Sequence, residues 1–164
     1  DVHMILLANG EKIDPETLKR AVKLKTVGYL GNARNRVDAA LCVQQGVVLF
    51  DDPKGNPRNY TFIPKRMIDF MNTGTTYLSS NFPNLQLPRI ERSHRLIHIH
   101  KNVPGIMAKI NTVFAKHDIN IVGQFLMTNP EIGYVITDIN TQYDKQLFKS
   151  LKKIEHTIKF RVLY

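Results

Sequence analysis

Apolar and polar positions alternate in two different rhythms along the chain. Residues 2–8 form an apolar run that reads as a strand. Asp14-Pro15-Glu16 then signals a helix start with Pro at the first helical position, where its missing N–H leaves no bond unmade. Leu18, Ala21, Val22 and Leu24 give that helix a short apolar stripe. Residues 25–30 predict a second strand. Residues 37–45, stopped by Gly46, predict a second helix. Residues 47–50 are apolar throughout, which predicts a third, buried strand. A β-α-β-α-β order is that of a parallel α/β layer.

The rhythm breaks at residues 51–59, a stretch dense in Asp, Pro, Gly and Asn that does not continue a sheet. Residues 62–71 predict a helix that starts near Pro64 and ends at Asn72-Thr73-Gly74. Residues 81–88, with Pro83 and Pro88, read as an extended linker, with a boundary at about residues 89–93. Beyond it, residues 95–101 alternate strictly, with Leu96, His98 and His100 on one face and Arg95, Ile97 and Ile99 on the other. Pro104-Gly105 opens a helix with Ile106, Ile110, Val113 and Phe114 on one stripe. Residues 119–127 and 132–139 predict strands joined by a hairpin at Thr128-Asn129-Pro130-Glu131. A helix over 143–153 and a last strand through Ile158, Phe160 and Val162 complete a β-α-β-β-α-β unit, with two helices on one face of an antiparallel sheet.

Composition narrows the class. The 164 residues are 43% hydrophobic and 23% charged, as in a folded globular protein. No apolar run approaches the roughly 18 residues needed to cross a bilayer, and no leader pattern opens the chain, so no membrane partner is expected. The chain opens at Asp1 without a Met, the expectation for a trimmed or incompletely represented version of something longer. Cys42 is the single cysteine, which excludes disulfide scaffolds and Cys-based zinc sites and fits the cytoplasm. The net charge of +9 first suggests a polyanion partner, but it is spread: 13 basic and 9 acidic residues in 1–93, 10 and 5 in 94–164. Its densest clusters, Lys149, Lys152, Lys153 and Lys19, Arg20, Lys23, Lys25, read as solvated helix faces.

Chemistry concentrates at His98-Ile99-His100-Lys101-Asn102-Val103-Pro104-Gly105, a strand running into a helix start. Unpaired N–H groups at such a terminus suit a carboxylate. Gly105 lets a ligand approach the backbone, and Asn102 and His100 both donate and accept. The plainer alternative is that Asn102 caps the helix while His98 and His100 sit half-buried in the sheet. Zinc at His94, His98 and His100 lacks further ligands. No two glycines are separated by one residue, so the dinucleotide fingerprint is absent; there is no P-loop and no G-x-S-x-G. Cys42 on its helix reads as core. No catalytic residues are expected.

These residues resemble a known family. His94–Gly105, Asp118-Ile119-Asn120-Ile121, Gln124-Phe125-Leu126-Met127-Thr128, residues 133–139 and Arg161-Val162-Leu163-Tyr164 are similar to the C-terminal ACT domain of D-3-phosphoglycerate dehydrogenase, and residues 72–76 and 81–88 to its bacterial linker. The resemblance implies an allosteric module of L-serine biosynthesis that binds L-serine, or a similar small amino acid, between two ACT domains. Its contacts would be His100 and Asn102 with the backbone of Val103, Pro104, Gly105 and Ile106, plus Asn120 from the partner. Lys101 stands where bacterial relatives often carry an acid. Residues 1–5 and 24–50 resemble part of the family's substrate-binding domain, but its phosphate-binding Arg-Ser falls on Ala8-Asn9. The NAD-binding domain, normally inserted after a segment like 47–53, is missing, and the catalytic Arg, Glu and His go with it.

The expectation is thus α/β and α+β: a partial flavodoxin-like βαβ layer over 1–72, an extended linker over 73–92, and a ferredoxin-like βαββαβ ACT domain over 93–164. It would be a regulatory fragment forming a homo-oligomer through ACT strands, with no cofactor of its own (NAD in the full-length family), no metal and no nucleic acid. One alternative is a complete NAD-dependent dehydrogenase with residues omitted. Another is an RRM-like RNA-binding module, disfavoured because Tyr134 is the one aromatic on strand 132–139 and 95–101 has none.

Overall fold

The computed structural model describes every residue except Asp1, Asn9, Pro53, residues 55–58, Arg89, residues 141–144 and Tyr164. Several sequence-based readings therefore lie partly outside the described residues: the turn-rich segment 51–59, the first residues of the helix expected over 143–153, Asn9 at the family's phosphate position, Arg89 at the boundary, and the closing Tyr164. Two compact units are resolved, Asp1–Gln86 and Leu87–Tyr164.

The first unit is the expected parallel layer. Strands β1 (Met4–Leu7), β2 (Thr26–Tyr29) and β3 (Val48–Phe50) lie in the order β1-β2-β3, all parallel. Helix α1 (Pro15–Arg20) is N-capped by Asp14, whose carboxylate accepts from Thr17 N at 2.8 Å; α2 (Ala39–Gln44) is capped likewise by Asp38. Leu18 and Cys42 from these helices pack with Val27, Tyr29 and Leu49 on one sheet face. Helix α3 (Asn59–Thr73) takes the opposite face, where Met67 and Ile63 press onto Gly28, the one strand position without a side chain to displace them.

Two details differ from the sequence reading. Val22 is 79% exposed, because α1 ends at Arg20 and the expected stripe runs past it. Helix α3 begins five residues before Pro64. That proline removes one bond, to the carbonyl of Tyr60, an exposed residue in the opening turn, so the rest of the helix ladder is left intact.

The first part of the expected linker is also folded onto this unit. The Asn81 amide accepts from Leu49 N (2.8 Å) and donates to Val47 O (3.0 Å), and Ser80 N donates to Leu49 O (2.9 Å). One Asn side chain thereby satisfies the free edge of β3 as a neighbouring strand would. Phe82 and Leu85 are buried behind it.

The second unit has the ferredoxin-like β-α-β-β-α-β order: β4 (His94–Lys101), α4 (Ile106–Lys116), β5 (Ile121–Thr128), β6 (Ile132–Ile139), α5 (Lys145–Lys152) and β7 (Thr157–Leu163). The sheet is antiparallel in the order β5-β6-β4-β7. Both helices cover one face, where Ile106, Ile110, Phe114, Leu147 and Leu151 meet Leu96, Val135 and Ile139. On the other face Arg95 and Asp138 stand opposite each other and are 1% and 0% exposed. Their pairing is bidentate, Nε to Oδ1 at 2.8 Å and Nη2 to Oδ2 at 2.7 Å, and the guanidinium also donates to Leu87 O and Pro88 O. A buried charge needs this many partners. The edge strand β5 leaves Val122, Phe125, Leu126 and Met127 exposed.

Candidate functional site

Strand alternation carries His98 and His100 to the helix-covered face beside Leu96, as the pattern predicts, but burial there is nearly complete at 3% and 2% exposure. His98 Nε2 meets Thr157 Oγ1 at 2.7 Å, and its Nδ1 has no hydrogen-bond partner among the described residues. Its ring stands edge-on to both His100 and Phe160, with centroids 6.0 and 5.9 Å away. Burial, with His100 beside it, pushes His98 down to about 4. His100 Nδ1 lies 2.7 Å from the carbonyl of Lys101, while its Nε2 is buried and without a hydrogen-bond partner among the described residues. Burial holds His100 below the ordinary histidine range, opposed in part by the Lys101 carbonyl. The ring lies on Gly133 of β6, where a Cβ would come within 2.2 Å of Cε1 and 2.5 Å of Nε2.

The chain then turns into α4. Gly105 is the N-cap residue with φ +84°, a left-handed conformation that glycine adopts without strain. No side chain caps this helix, and the first helical bond runs from Lys109 N to Gly105 O. Backbone donors of the opening turn are thus available to an anion. Asn102 is not the cap. Its Nδ2 donates to Asn129 O at 2.8 Å and its N–H to Glu131 O at 2.9 Å, which ties the connection to the β5–β6 hairpin. Val103 is half-buried, Pro104 and Gly105 are exposed, and Ile106 anchors the helix in the core.

Six of the seven residues expected to contact an effector therefore gather on one strand-to-helix connection. Asn120 does not join them. It is exposed just before β5, whose Ile121 pairs with Ile139 at the His94 end of β4, whereas His100 pairs with Gly133 at the far end. Six strand residues, about 20 Å, separate the two ends. Thr157 and Gly133, which support the histidines, went unread in the sequence, though a glycine inside an apolar strand is a signal of close approach.

Elsewhere, a cavity of about 620 Å³ in the first unit is lined by Lys12, Asp14, Asn35, Arg36 and Asp38 among others. Its two cations are balanced by two carboxylates already engaged in capping, so nothing there selects a charged ligand. Among the described residues no group of three His, Cys, Asp or Glu side chains could hold a metal. No described helix is long and apolar enough to cross a membrane.

Residues 96–159 match the AHAS small subunit-like ACT domain family. The D-3-phosphoglycerate dehydrogenase of Haemophilus influenzae is 43% identical over 99 residues, which are 60% of this chain and 24% of that protein. The enzyme of the same name from Escherichia coli K12 is 37% identical over 101 residues, again 60% and 24%. The chain thus spans about a quarter of the length of these curated relatives. The solved ACT domain of the GTP pyrophosphokinase of Chlorobium tepidum aligns with 43% of this chain and 96% of its own, at 19% identity and a TM-score of 0.40. Within the second unit, residues 96–159 are thus similar to ACT domains, and 60% of the chain is similar to a region of D-3-phosphoglycerate dehydrogenase.

Proposed function

We propose that this chain is a regulatory part of a D-3-phosphoglycerate dehydrogenase, binding L-serine, or a similarly small amino acid, at its ACT domain and turning over no substrate by itself. One observation carries the reading: His100 Nε2, a buried nitrogen with no hydrogen-bond partner among the described residues, stands near the end of the strand that runs on into the uncapped start of α4. A buried polar atom without a partner is costly, and a helix start without a cap leaves donors unmet. A small zwitterion supplies both deficits, its carboxylate to the N–H groups of Gly105 and Ile106 (Val103 N–H already donates to Lys101 O, and Pro104 has none) and its donors to His100.

Two chains would complete the site. β5 is an exposed apolar edge strand, a template for pairing. Antiparallel pairing of β5 with its copy sets the start of one β5 beside the end of the other. The partner's Asn120 then lies near Thr128 and the hairpin that holds Asn102, which it does not reach within its own chain. The assembly is a homo-oligomer working in the cytoplasm. Residues 1–72 serve as a remnant of a substrate-binding domain, 73–92 connect it, and 93–164 regulate. No cofactor and no catalytic residue is assigned to residues 1–164; NAD is the cofactor of the full-length family.

Calorimetry with millimolar L-serine tests the proposal. Binding heat and a raised melting temperature are expected, about 2.7 kcal/mol of stabilisation at a hundred times Kd. His100→Ala is expected to abolish both. No heat and no melting shift would refute the binding claim, and NAD-dependent oxidation of phosphoglycerate by the purified chain would refute the inactivity claim.

A further inference from the structure

We infer that the site engages its ligand only through neutral His100 protonated on Nδ1, so that it selects small carboxylates carrying a hydrogen-bond donor and releases them in acid. The inference rests on the amino-acid-binding reading above and adds a rule for what binds and when.

The rule follows from one contact. A carbonyl oxygen only accepts, so the 2.7 Å approach of His100 Nδ1 to Lys101 O places the hydrogen on Nδ1. In the neutral ring Nε2 is then a bare acceptor. It is buried and lacks a partner among the described residues, so the group that satisfies it is a donor, an ammonium or a hydroxyl. A ligand offering only acceptors would require a second proton on the ring. The surroundings oppose that proton. His98 faces the ring edge-on from the same strand and feels His100 as a like charge. From β6 the ring meets Gly133, which brings no charge. From β7 comes Thr157, already engaged with His98. The first turn of α4 has no acid. Lys101, His156 and Glu131 adjoin through backbone hydrogen bonds at this end of the sheet: Lys101 N donates to His156 O, and Asn102 N to Glu131 O. Burial already disfavours the imidazolium, and ligand ammonium beside it would disfavour it further.

The sign of the pH effect is fixed. Binding is full while His100 is neutral and falls as pH drops through the folded-state pKa, which lies below the usual histidine value. Below it, affinity is lost tenfold per pH unit, with a proton released on each binding event.

The test uses the whole chain. Long-range proton–nitrogen NMR of the ligand-free protein should show His100 Nδ1 protonated and Nε2 bare. Serine titrations from pH 8 to 4 should show flat affinity while His100 stays neutral, then a loss that approaches tenfold per pH unit below its folded-state pKa, with heats that differ between buffers only on the acid side. Malonate, which presents acceptors alone, should not bind at pH 8, whereas 3-hydroxypropionate should. His100→Gln, which keeps an acceptor but does not titrate, should bind serine with a flat pH profile. A proton on Nε2, affinity that holds or rises in acid, or malonate binding at pH 8 overturns this inference while leaving amino-acid binding intact. Absence of serine binding at every pH, with the Nδ1 proton in place, overturns the amino-acid reading and this inference with it.

Discussion

Replacing Gly133 with Ala tests the geometry of the site without touching a ligand contact. The added Cβ would lie 2.2 Å from His100 Cε1, 2.5 Å from Nε2 and 3.0 Å from Nδ1, where ordinary contact begins near 3.4 Å. The ring must therefore move by about 1.2 Å (3.4 minus 2.2). It has little room, being tied to Lys101 O on one side and set edge-on to His98 on the other. The backbone of β6 does not yield easily either, because it is hydrogen-bonded between β5 and β4. Overpacking of this kind costs about 1–3 kcal/mol. In a His100→Ala background the same substitution has space, and it removes the roughly 0.5–1 kcal/mol that a strand glycine costs relative to alanine. The two sites should therefore couple by about 2 kcal/mol, well beyond simple additivity. Urea unfolding of wild type, both single variants and the double variant, at unchanged m-value, measures it. A cost of Gly133→Ala that is equal in both backgrounds within about 0.5 kcal/mol would refute the placement of the ring. Calorimetry on Gly133→Ala should show loss of serine binding, even though His100 is still present.

Arg95→Met should destabilise the second unit by about 3–5 kcal/mol, because it strands the buried Asp138 carboxylate, and Arg95→Met with Asp138→Leu should recover most of the loss; equal stability of the single and double variants would contradict this. His98, about 4 when folded and near 6.5 when unfolded, binds more protons unfolded, so stability should be full above pH 6.5 and fall by up to about 3 kcal/mol as pH drops to 4. Urea midpoints at pH 7 and pH 5 would show the drop, and His98→Gln should reduce it; a wild-type midpoint that does not move would count against it. The Cys42 thiol, pushed up to about 12 by burial and by Asp38, should ignore Ellman's reagent at pH 8 and react only as urea unfolds the chain. Rapid labelling of the native protein would show that α2 is not packed as described.

Legibility in the sequence followed how local the determining physics was. The second unit was readable because its alternation and stripes are dictated by burial on one face, and Leu96, Ile110 and Phe114 sit where the periods place them. The helix through Pro64 was misjudged because a proline near a helix start removes only one bond, and the cost depends on whether that carbonyl is exposed. Asn81 could not be read as an edge cap, since its partners Leu49 and Val47 are more than thirty residues away. At the candidate site the residue types were visible, but the burial of His100 and the orphan state of its Nε2 depend on Gly133 from another strand. Asn102 illustrates the limit best. Its position suggested a helix cap, yet a carbonyl from the hairpin competes for its amide and wins.

The grip of Arg95 on the carbonyls of Leu87 and Pro88 has a bearing on where this protein can be cut. The stretch matched by the ACT family begins at residue 96, and the boundary expected from the sequence puts the domain's start at 93. A polypeptide begun at either point deprives the guanidinium of two acceptors or removes it altogether, and Asp138 is left with a charge it does not bear well in the sheet. The shortest self-sufficient piece therefore starts no later than Leu87. The residues ahead of the first strand are part of the domain they lead into.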